Sequence, residues 1–376
     1  MRNFYFFFVF ISIVIAVYSL LNYYFIVRYR NIIPSAFIPA MLLRLLVATL
    51  VIAPIATIFF SYRGIHPWAS ITGFTGYSWL AFLFLFLVIN GFADIALFIA
   101  GKFGFSANAV AKEVLIFTMS SSFLILLYGF VEASNIRLER LVIETTKSGM
   151  DRERIKIMQI SDVHFSPTIG VEKALKIKDI ADKEKPDILI STGDLLDRSI
   201  RNGNDVIDVM KSIRAPLGKF AITGNHEFIT GIEESTSFIE KCGFTLIRNT
   251  YVLAGGINLV GVDDPTAYRY GAYTPVNEAA ILRSSSNDLY TIFLKHQPRI
   301  LDETIGLFDL QLSGHTHAGQ IFPFSILVKL AFPNICGYYN LGKGSSLYVS
   351  RGTGTWGPPV RFLASPEITI IEIVRK

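Results

Sequence analysis

Five of the chain's six histidines share one stretch with a set of Asp and Asn residues. They fall in Asp162-Val163-His164, Gly224-Asn225-His226-Glu227, His296, and Gly314-His315-Thr316-His317, with Gly193-Asp194-Leu195-Leu196-Asp197 lying between the first two. Histidine is the commonest protein metal ligand, and carboxylate and amide oxygens complete such sites for hard and borderline divalent ions. A set rich in N and O and free of Cys suits Mn, Fe or Zn over a structural thiolate site, and ligand type alone does not choose among them. The sixth histidine, His66, lies far upstream and is expected in a loop between apolar segments.

Each motif follows a short apolar run that reads as a buried strand. Residues 155–160 run into Asp162 and His164, 187–190 into Asp194, and 220–222 into Asn225 and His226. Residues 290–294 run into His296, and 308–312 into His315 and His317. Ligands at strand C-termini are where open α/β sheets bind their substrates. Helical patterns at 171–185, 204–213 and 233–242 fit between the strands.

This series resembles the calcineurin-like metallophosphoesterase superfamily over roughly residues 150–365, with every core motif present in order. The resemblance implies an α/β fold, a four-layered α/β/β/α sandwich. It implies two divalent metal ions, with Mn favoured, sharing Asp194 as a bridge. Asp162, His164 and His317 would complete the first site, and Asn225, His296 and His315 the second. The ions would make a nucleophilic hydroxide available at neutral pH and neutralise the phosphate oxygens. His226 would act on the leaving oxygen, and Asp197 would orient His226. By residue type alone Asp197 also suits a cap, and Glu227 reads equally as an ordinary exposed acid. The apolar insert after His317, the run 351–359 and the upstream apolar segments are similar to the transmembrane proteins with a metallophosphoesterase domain. Ala318 and Arg198 depart from that pattern, and Arg198 puts analogy of substrate in doubt.

The chain has 376 residues, and 51% of them are hydrophobic. Its mean hydropathy of +0.45 is too high for an ordinary soluble protein, so the surplus belongs in a membrane. It concentrates before residue 132, in four candidate spans at about 4–27, 37–60, 79–100 and 114–131. The expected division is a transmembrane bundle of four helices over 1–131 and a catalytic domain over 132–376. Asp94, with Asn90 one turn before it, reads as a polar pair that fixes bundle packing or as a functional intramembrane charge. Arg and Lys residues tie between the two sides, so charge gives no orientation. The lack of a visible export feature leans toward a cytoplasmic catalytic domain on the cell membrane. A net charge of +5 fits anionic headgroups or substrates, and there is no aromatic-interleaved basic stripe of the kind that binds nucleic acid. Neither the oligomeric state nor a disulfide framework can be read from the sequence.

A polar joint follows residue 131, and alternation over 136–143 reads as an edge strand. Residues 319–333 are strongly apolar and bracketed by prolines, right after the last metal motif. They read as a buried core loop or as an interfacial helix or lid that admits acyl chains. The Gly-rich run 350–359 reads as a site rim, with Arg351 a candidate phosphate contact and Arg361 a weaker one. Residues 366–370 read as a closing strand.

These features together point to a membrane-anchored, metal-dependent hydrolase of a phosphodiester, pyrophosphate or phosphomonoester, with membrane lipids as partners and a lipid-linked substrate. The rival readings are an anchored phosphodiesterase or phosphatase for soluble nucleotides, and a membrane sensor or transporter with an appended phosphoesterase.

Overall fold

Among the described residues the apolar N-terminal third forms four α-helices, α1 (Arg2–Tyr29), α2 (Phe37–Tyr62), α3 (His66–Gly101) and α4 (Ala111–Ser134). The structure is a computed structural model, which describes residues 2–30, 37–197, 203–271, 276–286 and 288–376. The chain divides into two units, Met1–Val131 with Gly357–Val360, and Glu132–Trp356 with Arg361–Lys376. Among the described residues three helices are long and apolar enough to cross a membrane: Ile38–Tyr62, Pro67–Gly101 and Ala111–Ser134. The apolar stretch of α1, Ser12–Arg28, is shorter than the span expected there.

The third span also begins earlier than expected. His66 opens α3 with Pro67 in its first turn, instead of lying in a loop. Polar residues at 72, 75 and 78 break the hydropathy pattern, yet Thr72, Thr75 and Ser78 bond back to the carbonyls of Trp68, Ile71 and Phe74. The helix thereby absorbs its own polar groups. Gly76 lies so close to Pro54 of α2 that a Cβ there would overlap the backbone. Further along α3, Asn90 donates to Tyr24 of α1 at 2.5 Å and accepts from Thr118 of α4 at 3.2 Å. Asp94 pairs with Arg28 and accepts from Tyr24. This network ties three helices together, which is the packing role.

The second unit contains β1 (Arg137–Thr145), β2 (Arg154–Ile160), α5 (Val171–Glu184), β3 (Ile188–Ser191), α6 (Asn204–Ser212) and β4 (Gly218–Ala221). It continues with α7 (Asn225–Thr230), α8 (Ile232–Lys241), β5 (Thr245–Leu246), β6 (Thr250–Ala254), β7 (Ile257–Gly261) and α9 (Glu278–Ser284). β8 (Tyr290–Leu294), β9 (Leu310–Ser313), α10 (Phe324–Ala331), β10 (Gly337–Gly342), β11 (Ser345–Val349) and β12 (Glu367–Arg375) complete it. Two six-stranded sheets result, in the orders β1-β12-β2-β3-β4-β5 and β10-β11-β9-β8-β7-β6.

Alternation along β2 shows how the layers arise. Ile155 and Ile157 face the second sheet and pack with Leu259, Ile292, Leu310 and Leu312. Met158 and Ile160 face the other way, onto Ala174 and Ile177 of α5, Met210 of α6 and Phe238 of α8. On the far side of the second sheet, Val260 and Phe293 pack on Leu282 of α9. The order is helices, sheet, sheet, helix, the α/β/β/α sandwich. β1 is the edge strand, and the closing strand β12 inserts between β1 and β2, parallel to the first and antiparallel to the second.

Candidate metal centre

Three parallel strands of the first sheet, β2, β3 and β4, and two of the second, β8 and β9, end at the candidate residues. The chain must turn sharply there. Asp162, His164, Asp194, His315 and His317 all have φ between 50° and 71°. Non-glycine residues rarely adopt this left-handed region, and such strain concentrates at functional sites. Gly224 and Gly314 permit the closest approaches: a Cβ on Gly224 would overlap Asp194, and one on Gly314 would overlap Ser161 and Asp162.

The structure brings the candidates together as three overlapping groups: Asp162, His164 and His317; His164, Asp194 and His226; and Asp194, His296 and His315. His164 Nε2 is 3.1 Å from His317 Nε2 and 3.8 Å from Asp194 Oδ2. His317 Nε2 is 3.5 Å from Asp162 Oδ1. On the other side, His296 Nε2 is 3.2 Å from both Asp194 Oδ2 and Asn225 Oδ1. His315 Nδ1 is 2.9 Å from Asn225 Oδ1 and 3.2 Å from His296 Nε2. Asp194 lies between the two sets. Its Oδ1 accepts from the His226 backbone N–H at 2.8 Å, while Oδ2 faces the imidazoles.

Spacing and charge both suit divalent ions. Atoms bound to one ion at about 2.0–2.2 Å stand roughly 3.0–3.5 Å apart, near the 2.9–3.8 Å between these atoms. His296 Nδ1 is 2.8 Å from the Thr192 carbonyl, so it carries the proton and turns the Nε2 lone pair inward. Burial works against charge on His226, but Asp194 and the bond to Asp197 outweigh it and raise its pKa to about 9. His296 is likewise raised, against its burial, by Asp194. Both shifts come from the negative charge of the carboxylates beside these rings, and that charge also favours a bound cation. His315 is pushed down to about 4 by burial and by the neighbouring His296, and His317 well below its ordinary value by burial and Arg361.

His226 Nδ1 lies 2.6 Å from Asp197 Oδ1, and its ring meets Trp356 edge-on at 6.1 Å between centroids. Gln320 holds Trp356 through bonds of 2.8 and 2.9 Å to its backbone. The run 350–359 thus reaches the site through Trp356, an aromatic that the sequence reading did not single out.

Arg351 is not brought to the cluster. Its guanidinium pairs with Glu139 and Glu367, because β1 and β12 place two carboxylates beside it. The sequence ranked Arg361 the weaker candidate, yet it is the one beside the site. It is fully buried and donates to the carbonyls of His317, Arg351, Gly354 and Ala364 and to His317 Nδ1. It therefore joins the turn after β9 to the segment between β11 and β12 instead of waiting for a phosphate. Arg361→Met is expected to destabilise the second unit by about 3 kcal/mol or more, since buried carbonyls lose a charged donor. Thermal unfolding with and without added divalent ion checks this, and Arg361→Lys should recover only part of the loss.

Glu227 is not an exposed acid. It is fully buried, and its two oxygens accept from the backbone N–H groups of Gly224, Asp194, Leu195 and Leu196. It clamps the loop after β3 to the start of α7, so Asp194 and Asn225 are held by one carboxylate. Its place in the first turn of α7 was the available signal. Arg198 lies outside the described residues.

A calcineurin-like phosphoesterase family profile matches residues 155–319. An uncharacterized metallophosphoesterase of Aquifex aeolicus is 38% identical over 252 residues, covering 66% of this chain and 96% of that protein. One of Helicobacter pylori is 37% identical over 253 residues, covering 66% and 67%. A zebrafish transmembrane protein with metallophosphoesterase domain is 30% identical over 258 residues, covering 65% and 59%. The chain belongs to the calcineurin-like metallophosphoesterases. It is a membrane protein and a metal-dependent phosphoric ester hydrolase.

Proposed function

We propose that residues 1–131 anchor the protein in the cell membrane and that residues 132–376 hydrolyse a phosphodiester, pyrophosphate or phosphomonoester bond in a lipid-linked substrate. The observation that carries the hydrolytic part is the pair of ligand sets meeting at Asp194. Asp162, His164, Asp194 and His317 would hold one divalent ion, and Asp194, Asn225, His296 and His315 the other, with Mn favoured. When bound, the ions supply Lewis-acid charge at the phosphoryl oxygens and lower the pKa of water.

The chain's own residues do the rest. Asp197 fixes the His226 ring through Nδ1, which leaves Nε2 to deliver a proton to the departing oxygen. Trp356 walls that ring on one side. Thr192 fixes the tautomer of His296, and Glu227 keeps Asp194 and Asn225 in register. His226→Ala is expected to lower kcat by about 10²–10⁴-fold while metal content is retained. Asp197→Asn should lower it by about 10–100-fold. Turnover and bound-metal analysis on the same samples check both.

The lipid assignment is tested by offering a nucleoside-diphosphate lipid and the same headgroup without acyl chains. Preference for the acylated substrate supports it, and equal turnover of the two overturns it. We place the catalytic domain on the cytoplasmic side. A cysteine introduced at Ser148 and labelled from outside intact cells would reverse that assignment.

A further inference from the structure

We propose that α10, with the adjoining Phe322 and Leu363, is a bilayer-contacting surface that delivers an acyl-bearing phosphate ester to the metal centre. This rests on the phosphoesterase reading above. None of the eight residues of α10 is buried. Ile326 and Leu327 are each 58% exposed and Leu330 is 79% exposed, with Phe324, Phe322 and Leu363 also exposed. A core loop is thereby excluded, and an apolar patch of this kind on a water-facing domain marks an interaction site.

Three observations choose the bilayer as its occupant. The first is the chain's exit from the membrane. α4, a candidate span, runs to Ser134, and β1 begins at Arg137. At about 3.5 Å per residue the chain can place the start of β1 no more than roughly 10 Å from that helix end. The second is how α10 is rooted. Glu132, in the last turn of α4, accepts from Leu363 N at 3.2 Å and Ser365 Oγ at 2.6 Å. The neighbouring Phe362 pairs with the chain entering α10, through Phe322 N to Phe362 O at 3.0 Å and Phe362 N to Gln320 O at 2.9 Å. The same loop therefore receives the end of the span and carries the root of α10. The third is charge. Lys329 is exposed on α10, and Arg299 stacks on Phe332 at its end, 5.1 Å from the ring centroid. An apolar face bordered by cations suits the boundary between acyl chains and anionic headgroups.

The surface also touches the chemistry. α10 follows the turn that carries His317, and Phe332 packs edge-on against His315 at 5.0 Å between centroids. A lipid phosphate drawn up along α10 arrives at the second ligand set without leaving the interface.

The test uses the full chain with Cys242→Ala and Cys336→Ser, reconstituted in nanodiscs of phosphatidylethanolamine and phosphatidylglycerol. An environment-sensitive fluorophore is placed through Leu330→Cys, or through Glu240→Cys on α8 as an exposed control. The position-330 probe should be blue-shifted and quenched several-fold more by brominated lipid than the position-240 probe. Equal quenching of both by aqueous iodide overturns the proposal. So does a 330–330 disulfide between two copies of the unlabelled Leu330→Cys chain on treatment with a mild thiol oxidant, which would make a second chain the occupant. In parallel, Leu327→Ser with Leu330→Ser should lower turnover of the nucleoside-diphosphate lipid by about tenfold or more and leave bis-p-nitrophenyl phosphate unchanged. If the parent hydrolyses neither substrate with any divalent ion, the phosphoesterase reading fails, whatever the probe reports. If the parent hydrolyses both and the double variant loses neither, the delivery role fails alone.

Discussion

Asp194→Asn is expected to lower metal-dependent turnover by more than the roughly 10–100-fold typical of outer-shell losses, on the order of 10³-fold. Asp194 stands between both ligand sets, so one substitution weakens both. The amide oxygen can still accept from His226 N–H, the bond that Oδ1 makes now. The amide nitrogen would stand where Oδ2 now faces His296 Nε2, and an amide NH₂ offers a metal neither charge nor a free lone pair. The variant should therefore fold, bind less metal and turn over slowly, and metal analysis beside a thermal melt separates these outcomes. A variant with ordinary turnover would remove Asp194 from the centre.

Glu227→Gln carries the second large effect. Glu227 Oε1 accepts from Leu195 N at 2.8 Å and Leu196 N at 3.3 Å, while Oε2 accepts from Gly224 N at 2.7 Å and Asp194 N at 3.0 Å. Each oxygen meets two donors. Whichever way a glutamine amide is turned, its NH₂ group faces two N–H groups and loses two bonds. The cost is about 3 kcal/mol or more, because each buried donor left unpaired costs about 1–3 kcal/mol. The loops bearing Asp194 and Asn225 should part, so turnover should fall together with stability. Glu240→Gln, an exposed acid on α8, is the control. Unchanged melting and turnover in Glu227→Gln would show that the clamp is dispensable.

What could be read from sequence followed from locality. The strand ends were visible because an apolar run stops abruptly at Asp, Asn, His and Gly, and helical patterns fitted between them, while the four layers came from the family resemblance. The contents of the loops were not visible. Nothing in residues 350–361 says that Arg351 will find Glu139, more than two hundred residues away, or that Arg361 will be buried under His317. Glu227 stayed undecided between a site role and an exposed acid for the same reason, since its four donors come from two separate loops. β12 was expected as a strand, but its place between β1 and β2 depends on pairing that no local pattern encodes. In the membrane region, hydropathy broke α3 at polar residues that the helix satisfies by its own back-bonds.

The account stands or falls on metal dependence. The most direct measurement is hydrolysis of bis-p-nitrophenyl phosphate by the full chain in detergent, stripped with a chelator and titrated with Mn, with bound metal counted at each step. The prediction is no turnover when stripped and recovery with Mn. Recovery should saturate at two ions per chain, as the proposed pair of sites sharing Asp194 would require. Turnover that survives stripping, or a folded chain that takes up Mn without gaining activity on this or any other phosphate ester, would contradict it.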